Sequence, residues 1–419
     1  MAKVLVIGGG GREHTLAWGL SRSPGVDEVF VAPGNDGMAD VATLVEARDV
    51  ESWVAAAKDL AVDLVVVGPE QPLVDGVGDR LRAEGFAVFG PDAAAARIEG
   101  DKAWAKELMV EAGVPAASSE TFTDLDEALG HVRALDGVCV VKATGLAAGK
   151  GVTVCSDLVT AERAVRDCLV DGAFGEAGAS ILVEEKLTGP ELSVFAVCDG
   201  TRFATFTPSR DHKRLGDGDA GPNTGGMGAY TPVSDATADL ATLVREKVIA
   251  PTLDALRARG LEYRGLLYVG LMLTPDGPKV LEYNARFGDP ETQVVIPAFD
   301  GDLFEVLDGA ARGKLPVDGE LPSQGAAVGV VLASAGYPAS STKGVAVPGL
   351  DELTDVDLVF HAATRRGDDG WETSGGRVLC AVGVGPDFSL ARDRAHELAD
   401  RLAFDGAQRR TDIGRQEFH

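Results

Sequence analysis

Short apolar runs alternate with helical periodicity over the first hundred residues of the chain. Strands are predicted at residues 3–7, 28–32, 64–68 and 86–90. Helices are predicted from residue 12 onward, at 51–60 and at 73–84. Strands that alternate with helices indicate a parallel, doubly wound sheet, which binds ligands in loops beyond the carboxyl ends of its strands. Those loops are GGGGREH (8–14), APGN (32–35) and GPEQP (68–72).

We interpret residues 91–100 as a connection between domains. Beyond this stretch the predicted helices and strands no longer alternate regularly. Asp101 can cap a helix that runs to about residue 113. Further helices are predicted at 158–169, 237–259 and 389–402, with a short one from Pro290. Further strands are predicted at 138–143, 180–187, 265–273, 279–284, 326–333, 358–362 and 378–384.

These elements predict a multidomain α/β and α+β protein. Residues 1–100 form a Rossmann-like parallel domain, and glycines and prolines near 313–325 mark a second boundary. The central domain is therefore expected at 101–324, with a subdomain at about 120–190. Residues 325–419 are expected to form a small α+β module.

Composition narrows the class of protein. The apolar content of 45% and charged content of 25% are typical of a globular chain, and the net charge of −26 argues against nucleic acid or anionic membrane as a partner. Five scattered cysteines without paired spacing favour reduced thiols and a cytoplasmic location. No apolar run approaches the ~20 residues that span a bilayer.

The densest candidate chemistry lies in KVLEYNARFGDPETQV (279–294). Strand alternation places Glu282 and Asn284 on one face, where their oxygens suit Mg²⁺. Arg286 follows as a planar cation that can bind a phosphate or carboxylate with two hydrogen bonds. A strand end with ordinary surface charges is the alternative.

Two glycine-rich loops are candidate anion sites. The loop at 145–151 lies between two strands and is bracketed by Lys142 and Lys150, so it can close over phosphates, although it lacks the Walker A spacing. The loop at 8–14 is no dinucleotide fingerprint, because Glu13 stands where the third glycine is required. Its backbone amides, Arg12 and His14 make a general anion site; a satisfied polar residue in the first helical turn is the alternative for His14.

Three further positions carry candidate binding groups. Lys102 lies near a helix start, where a bound anion would explain it, although a solvated surface lysine is the default interpretation. The strand ending in Glu184 and Glu185, with Glu191 beyond, suits an adenine and a ribose. The glycine-rich segment 209–230 shows neither periodicity and carries DHKR (211–214), so we interpret it as a substrate-binding lid.

The order of these motifs resembles the phosphoribosylamine–glycine ligase family of the ATP-grasp superfamily. GGREH, GLAAGKGV, DHKR with GPNTGGMGAY, RFGDPETQ, GGRVLC and TDIG all occur in family order over essentially the whole chain. The resemblance implies an ATP-grasp central domain and the joining of glycine to 5-phosphoribosylamine through glycyl phosphate, with release of ADP and phosphate, in purine synthesis. It also implies ATP and Mg²⁺, with Mn²⁺ as the alternative metal, and a monomer or weak dimer.

Site residues implied by the resemblance fall into four groups. The metal ligands are Glu282 and Asn284. The ATP-binding residues are Lys102, Lys142, Gly149, Lys150, Gly151, Glu184, Glu185, Leu187 and Glu191. The residues of the glycine and phosphoribosylamine side are Gly10, Gly11, Arg12, His14, His212, Arg214, Gly226 and Met227. The catalytic residues are Arg286, Asp211 and Lys213.

Three departures from the family pattern accompany these matches. Thr144 stands where Asp is more common, Asp101 replaces Ser, and the strand at 268–273 carries no acid. The nearest alternative function is another ATP-grasp carboxylate–amine ligase, against which DHKR argues. A nicotinamide oxidoreductase is disfavoured by Glu13, and a nucleotide sensor without catalysis is disfavoured by the presence of Lys142 and Glu282.

Overall fold

The computed structural model describes residues 1–147 and 151–418 and begins with a parallel sheet. Its strands are β1 Ala2–Gly8, β2 Val26–Pro33, β3 Thr43–Leu44, β4 Leu64–Val67 and β5 Ala87–Phe89. Its helices are α1 Gly11–Ser21, α2 Val50–Leu60, α3 Glu70–Val74, α4 Val77–Ala83 and α5 Ala93–Gly100. The strand order β3-β2-β1-β4-β5, with parallel pairing throughout, confirms the predicted doubly wound sheet.

A four-stranded antiparallel sheet of order β6-β9-β7-β8 follows. Its elements, in chain order after helix α6 Lys102–Glu111, are β6 Ser119–Phe122, α7 Leu125–Ala134, β7 Cys139–Ala143, β8 Val152–Val154, α8 Leu158–Leu169 and β9 Ile181–Glu185. Strands β7 and β8 form the predicted hairpin around the glycine-rich loop. Asp101 caps α6 by accepting a hydrogen bond from the Trp104 amide at 3.1 Å, as expected.

The central sheet has the order β17-β16-β10-β11-β18. These strands are β10 Glu191–Asp199, β11 Phe203–Thr205, β16 Arg264–Thr274, β17 Gly277–Asn284 and β18 Gly319–Glu320. The elements between and after them are β12 Arg210–Asp211, β13 Arg214–Gly216, β14 Ala220–Asn223, β15 Gly228–Thr231, α9 Ala238–Val244, α10 Ala250–Ala258, α11 Thr292–Ala298 and α12 Leu303–Ala311.

The last hundred residues contribute to a third five-stranded sheet. The elements of this part of the chain are β19 Ala326–Ala333, β20 Leu358–His361, β21 Thr364–Gly367, β22 Gly370–Thr373, β23 Arg377–Gly385 and helix α13 Phe388–Arg401. The sheet order is β12-β15-β19-β23-β20, while β13-β14 and β21-β22 are separate hairpins. Strands from the 209–230 segment therefore share one sheet with the C-terminal strands.

Several predicted elements were wrong in detail. The predicted helix 73–84 is two helices broken near Gly76 at φ +84°. The stretch 91–100, for which no element was predicted, is mostly helix α5 because its alanine run has high helix propensity. The predicted helix 237–259 is interrupted by a π-helical turn at Arg245–Ile249. The helix expected from Pro290 begins at Thr292, and the 209–230 segment contains four short strands.

Close packing of α13 on β23 depends on one glycine. A Cβ built at Gly383 would clash with the Ala391 carbonyl oxygen and lie 2.5 Å from the Ala395 backbone nitrogen. Gly383→Ala is therefore expected to lower the free energy of unfolding by about 1–3 kcal/mol, measured by urea titration. Gly130→Ala is the matched control, because a Cβ there meets nothing within 4 Å and should be neutral or stabilising. Equal stability of the two variants would contradict this packing.

Candidate active site

A cavity of about 1030 Å³ lies between the helices α1, α3 and α5, the four-stranded sheet, the central sheet and the third five-stranded sheet. Most residues predicted to bind ligands line it, and they come from every part of the chain. The predicted residues in its wall are Arg12, Lys102, Lys142, Gly151, Glu184, Glu185, Leu187, Glu191, Asp211, His212, Lys213, Arg214, Glu282, Asn284 and Arg286. Residues 148–150 lie outside the described part of the chain, and with them the predicted phosphate contacts Gly149 and Lys150.

Strand β17 presents Glu282 and Asn284 to the cavity on one face. In the antiparallel pairing with β16, Glu282 lies opposite Gly270 and Asn284 lies opposite Tyr268. A Cβ at Gly270 would come within 3.3 Å of Glu282 Cγ, so the glycine leaves room for the carboxylate. The alternation expected from the sequence therefore holds at this strand.

A buried ion-pair cluster organises the lysine side of the cavity. Glu184, whose side chain is 2% exposed, lies between Lys142 Nζ at 2.7 Å and Lys106 Nζ at 3.1 Å. Lys142 also donates to the Leu281 carbonyl at 3.1 Å, and burial lowers the pKa of Lys106. Glu184 therefore fixes two ammonium groups at the cavity wall.

Lys102 and Glu185 lie near this cluster but have partners of their own. Lys102 Nζ donates to the Gly145 carbonyl at 3.1 Å, and burial lowers its pKa. Glu185 accepts from Ser118 at 3.4 Å and lies 3.5 Å from Lys279 Nζ. These contacts bring α6, the glycine-rich loop and the end of β9 to one rim.

Lys213 is surrounded by carboxylates. Its ammonium lies 3.0 Å from Glu191 and 3.8 Å from Glu282. Burial opposes its charge, but Glu191, Asp211 and Glu282 together raise the pKa of Lys213 well above its usual value. Burial, with further contributions from Glu291, Glu191 and Glu282, raises the pKa of Asp211 to about 8.

A divalent metal fits the donors on β17. Burial disfavours the charge on Glu282, yet Lys213, Lys142 and Lys102 outweigh it and hold the pKa of Glu282 below its usual value. The side chain is therefore an anionic oxygen donor beside the neutral amide oxygen of Asn284. Among the described residues no cluster of three His, Cys, Asp or Glu side chains is arranged to hold a metal. Such a pair suits an ion that completes its shell with phosphate and water.

Arg286 is held in the cavity by a network of acceptors. Its guanidinium lies 2.8 Å from Glu99 and donates to Glu70 at 3.2 Å and to Asn284 Oδ1 at 3.3 Å. Burial raises the pKa of Glu99 to about 6, and Glu99 and Glu70 raise the pKa of Arg286 despite its own burial. The network fixes the guanidinium plane next to the candidate metal ligands.

Side chains of the 8–14 loop form hydrogen bonds within the loop itself. The Gly10 amide donates to Glu13 Oε2 at 2.6 Å, and Arg12 donates to Glu13 Oε1 at 2.6 Å and to the Phe287 carbonyl at 3.1 Å. Of the predicted residues in this loop, Arg12 lines the cavity, whereas Gly10, Gly11 and His14 are absent from its wall. We expected the backbone amides of this loop to be free to bind an anion, but the Gly10 amide is hydrogen-bonded to Glu13.

His14 faces the C-terminal strand β20 instead of the cavity. Its Nδ1 accepts a hydrogen bond from the His361 amide at 2.9 Å, and its ring packs edge-on against Phe360. Burial, reinforced by His361, lowers the pKa of His14 to about 3. The neutral ring therefore joins helix α1 to the C-terminal module.

His14 is expected to make stability depend on pH. Because its folded-state pKa lies below the unfolded value, its contribution is present above about pH 6.5 and is lost as the pH falls towards 3. Between pH 7.5 and 5 the free energy of unfolding should fall by about 2 kcal/mol more than in His14→Asn, which keeps an acceptor. Urea titrations at both pH values test this; equal losses in the two proteins would contradict it.

Gly226 and Met227 are absent from the cavity wall, although the neighbouring Gly225 lines it. Met227 is fully buried, and a Cβ at Gly226, where φ is +113°, would clash with Pro290.

Arg377, which was not predicted, lines the cavity. It donates to the carbonyl oxygens of Gly225 at 2.6 Å and Asp289 at 2.8 Å. The motif GGRVLC contained this arginine, but its composition gave no sign that it reaches the cavity.

Lys102, Lys142 and Glu282 line one cleft between the four-stranded sheet and the central sheet, an arrangement that belongs to the ATP-grasp class of enzymes. The model of the family described as "Phosphoribosylglycinamide synthetase, ATP-grasp (A) domain" matches residues 100–292. The N-domain and C-domain models of the same family match residues 2–99 and 327–416. The chain belongs to the phosphoribosylglycinamide synthetase family.

Individual relatives match this chain over nearly its whole length. The chain is 44% identical to the phosphoribosylamine–glycine ligase of Vibrio parahaemolyticus, over 98% of this chain and 97% of that protein. It is 47% identical to the ligase of the same name from Halalkalibacterium halodurans, over 98% and 96% of the two chains. The crystal structure of phosphoribosylamine–glycine ligase from Thermotoga maritima superposes with a TM-score of 0.87 at 33% identity, covering 98% of this chain and 100% of that one.

Proposed function

We propose that this protein joins glycine to 5-phosphoribosylamine with ATP and forms glycinamide ribonucleotide, ADP and phosphate. The observation that carries the proposal is the convergence of Lys102, Lys142, Glu282 and Arg286 on one cavity in a member of this family. Three ligands must meet in such a reaction, and the cavity of about 1030 Å³ collects residues from the amino-terminal helices and from the four-stranded, central and third five-stranded sheets.

In the first step a glycine carboxylate oxygen attacks the γ-phosphorus of ATP. A bond forms between that oxygen and phosphorus, the bond to the β–γ bridging oxygen breaks, and ADP leaves. Lys102 and Lys142 neutralise the phosphate charge, while Arg286 orients the transferring phosphoryl group or the carboxylate. Positioning and charge neutralisation supply most of the catalysis in such transfers, so no covalent nucleophile of the protein is required.

In the second step the amine of phosphoribosylamine attacks the carbonyl carbon of glycyl phosphate. The carbon–oxygen bond to phosphate breaks, phosphate leaves with the oxygen that came from glycine, and the amine loses a proton. Asp211 and Lys213 lie on the wall beside this reaction, with His212 and Arg214 as further contacts of the phosphoribosylamine side. The raised pKa of Asp211, about 8, suits a group that exchanges a proton near neutrality.

The nucleotide side of the proposal assigns Gly149, Lys150 and Gly151 to the phosphates, Glu184, Glu185 and Leu187 to the adenine border, and Glu191 to the ribose. Glu282 and Asn284 would hold Mg²⁺, with Mn²⁺ as the alternative. When bound, the metal neutralises phosphate charge and orients the γ-phosphate for transfer. Glu184 contributes chiefly by fixing Lys106 and Lys142.

The organisation of the chain is part of the same proposal. We assign the amino-terminal domain to 1–100, the ATP-grasp domain to 101–324 with its flap at about 120–190, and the carboxyl-terminal domain to 325–419. A cytoplasmic location and a monomeric or weakly dimeric state accompany this assignment. Within the described residues no helix is long and apolar enough to cross a membrane.

Phosphate release tests the function directly. ATP and Mg²⁺ are supplied with glycine and with phosphoribosylamine made in place from ribose 5-phosphate and ammonia, and each component is omitted in turn. Release that requires both substrates is the expected result. Turnover with a different amine or carboxylate in place of either one would favour another ATP-grasp ligase.

A further inference from the structure

The β13–β14 hairpin, residues 214–223, covers part of the cavity but belongs to no larger sheet. Its neighbours in the chain, β12 and β15, are fixed in the five-stranded sheet shared with β19. The hairpin contributes Arg214, Asp219 and Asn223 to the cavity wall. Two-stranded hairpins are marginally stable alone, so contacts from elsewhere must hold its position.

Those contacts come from three consecutive residues near the carboxyl terminus. Thr411 donates from its amide at 2.8 Å and from its hydroxyl at 2.5 Å to Asp217. The Gly218 amide donates to Asp412 at 2.8 Å, and Arg410 donates to Asp219 at 2.7 Å. We call these one-to-one contacts between 217–219 and 410–412 the latch.

Arg410 is the anchor of the latch. Its side chain is 1% exposed, and it donates to both oxygens of Asp412 at 2.7 Å and to the Arg214 carbonyl at 3.3 Å. Ile413, the next residue after Asp412, is fully buried. The 410–412 segment is thus fixed to the body of the protein, while the tip of the hairpin is exposed apart from the latch.

The latch also adjoins a cavity residue whose ring nitrogens have no hydrogen-bond partner among the described residues. Both ring nitrogens of His212 are buried without a hydrogen-bond partner, and His212 lines the cavity. Burial, with Arg410 as the next contribution, lowers the pKa of His212 to about 4 and keeps the ring neutral. A polar side chain buried in this way is available to hydrogen-bond a ligand.

We propose that the latch holds the β13–β14 hairpin closed over the phosphoribosylamine side of the cavity, which makes Arg410 a positioning residue for that substrate. The inference rests on the proposed function for the identity of the substrate. Arg410 touches no reacting atom; it acts through Asp219, the Arg214 carbonyl and the latch as a whole.

Asp217→Ala and Thr411→Val test the latch without altering the cavity wall, because neither residue lines it. Both are at the surface, so these variants avoid the unfolding expected from removing buried Arg410. Asp351→Ala is the matched control: it removes an exposed carboxylate that pairs with Arg366 elsewhere on the C-terminal module. Asp217→Asn, which keeps an acceptor for the Thr411 hydroxyl, should partly restore wild-type behaviour.

The first readout is trypsin cleavage after Lys213 and Arg214 in the ligand-free protein. Cleavage is expected to be about fivefold to tenfold faster in Asp217→Ala and Thr411→Val than in wild type or Asp351→Ala. The double variant should be no faster than Asp217→Ala alone, because Asp217→Ala already removes both hydrogen bonds from Thr411. Unchanged cleavage in both single variants would overturn the latch.

The second readout separates positioning from general damage. The KM for phosphoribosylamine should rise about threefold to tenfold, while kcat and the KM for ATP stay within about twofold. An equal rise in both KM values would overturn the positioning role. If the wild-type protein shows no turnover that depends on both substrates, the proposed function and the assigned substrate fail, whereas the cleavage rates still decide whether the latch exists.

Discussion

Replacing Glu282 with glutamine is expected to lower phosphate release about 10²- to 10³-fold with the fold intact. The side chain keeps its shape but loses the negative charge that faces Lys102, Lys142 and Lys213. It also becomes a poorer oxygen donor for a divalent ion. Steady-state phosphate release at saturating ATP and Mg²⁺ measures the effect.

Two comparisons keep this result specific to Glu282. Glu84→Gln removes a surface carboxylate that pairs with Lys58 at 2.8 Å, and it should leave turnover within about twofold of wild type. Raising the Mg²⁺ concentration should recover part of the Glu282→Gln activity if metal affinity is what was lost. Turnover equal to wild type in Glu282→Gln would remove this residue from the metal site.

The second large effect is expected for Arg286→Met. Removing the guanidinium leaves the buried carboxylate of Glu99 and the partly buried one of Glu70 without their main partner, which should cost about 3–5 kcal/mol of unfolding free energy. Turnover should fall about 10²-fold or more because the group that orients the phosphoryl transfer is gone. Urea titration and phosphate release measure the two effects separately.

A second substitution separates stability from chemistry. Glu99→Gln added to Arg286→Met removes one uncompensated charge, so part of the lost stability should return while turnover stays low. Arg312→Met, which breaks an exposed pair with Asp308, is the control and should cost less than about 1 kcal/mol. Recovery of turnover together with stability would show that Arg286 has only a structural role.

The sequence predicted those parts of the site that one element carries alone. Strand alternation was sufficient to place Glu282 and Asn284 on one face of β17, and the apolar runs were sufficient to predict the parallel sheet. Local capping chemistry likewise predicted the start of α6 at Asp101. Each of these follows from spacing within a few residues.

Contacts between distant elements could not be predicted in this way. Lys106 and Glu184 look like ordinary helix and strand-end charges, and only the packing of α6 against β9 pairs them. Arg377 begins β23, and it reaches the cavity only because the Gly225 and Asp289 carbonyl oxygens, which come from distant parts of the chain, lie beside it. The 209–230 segment showed no periodicity because its strands are only two to four residues long, too short for alternation to be visible.

His14 shows how little a motif says about the direction of a single side chain. GGREH suggested a ligand contact, whereas in the structure His14 Nδ1 accepts from the His361 amide and Glu13 accepts from the Gly10 amide. The latch has a similar origin, since TDIG carried no visible chemistry before Thr411 and Asp412 were found against 217–218. Both findings depend on where the C-terminal module packs.

The transfer of oxygen from glycine to phosphate tests the central claim most directly. Glycine labelled with ¹⁸O in its carboxylate is turned over with ATP and phosphoribosylamine, and the released phosphate is analysed by mass spectrometry. Activation as glycyl phosphate predicts one labelled oxygen in each phosphate. Unlabelled phosphate released as the amide forms would contradict the account.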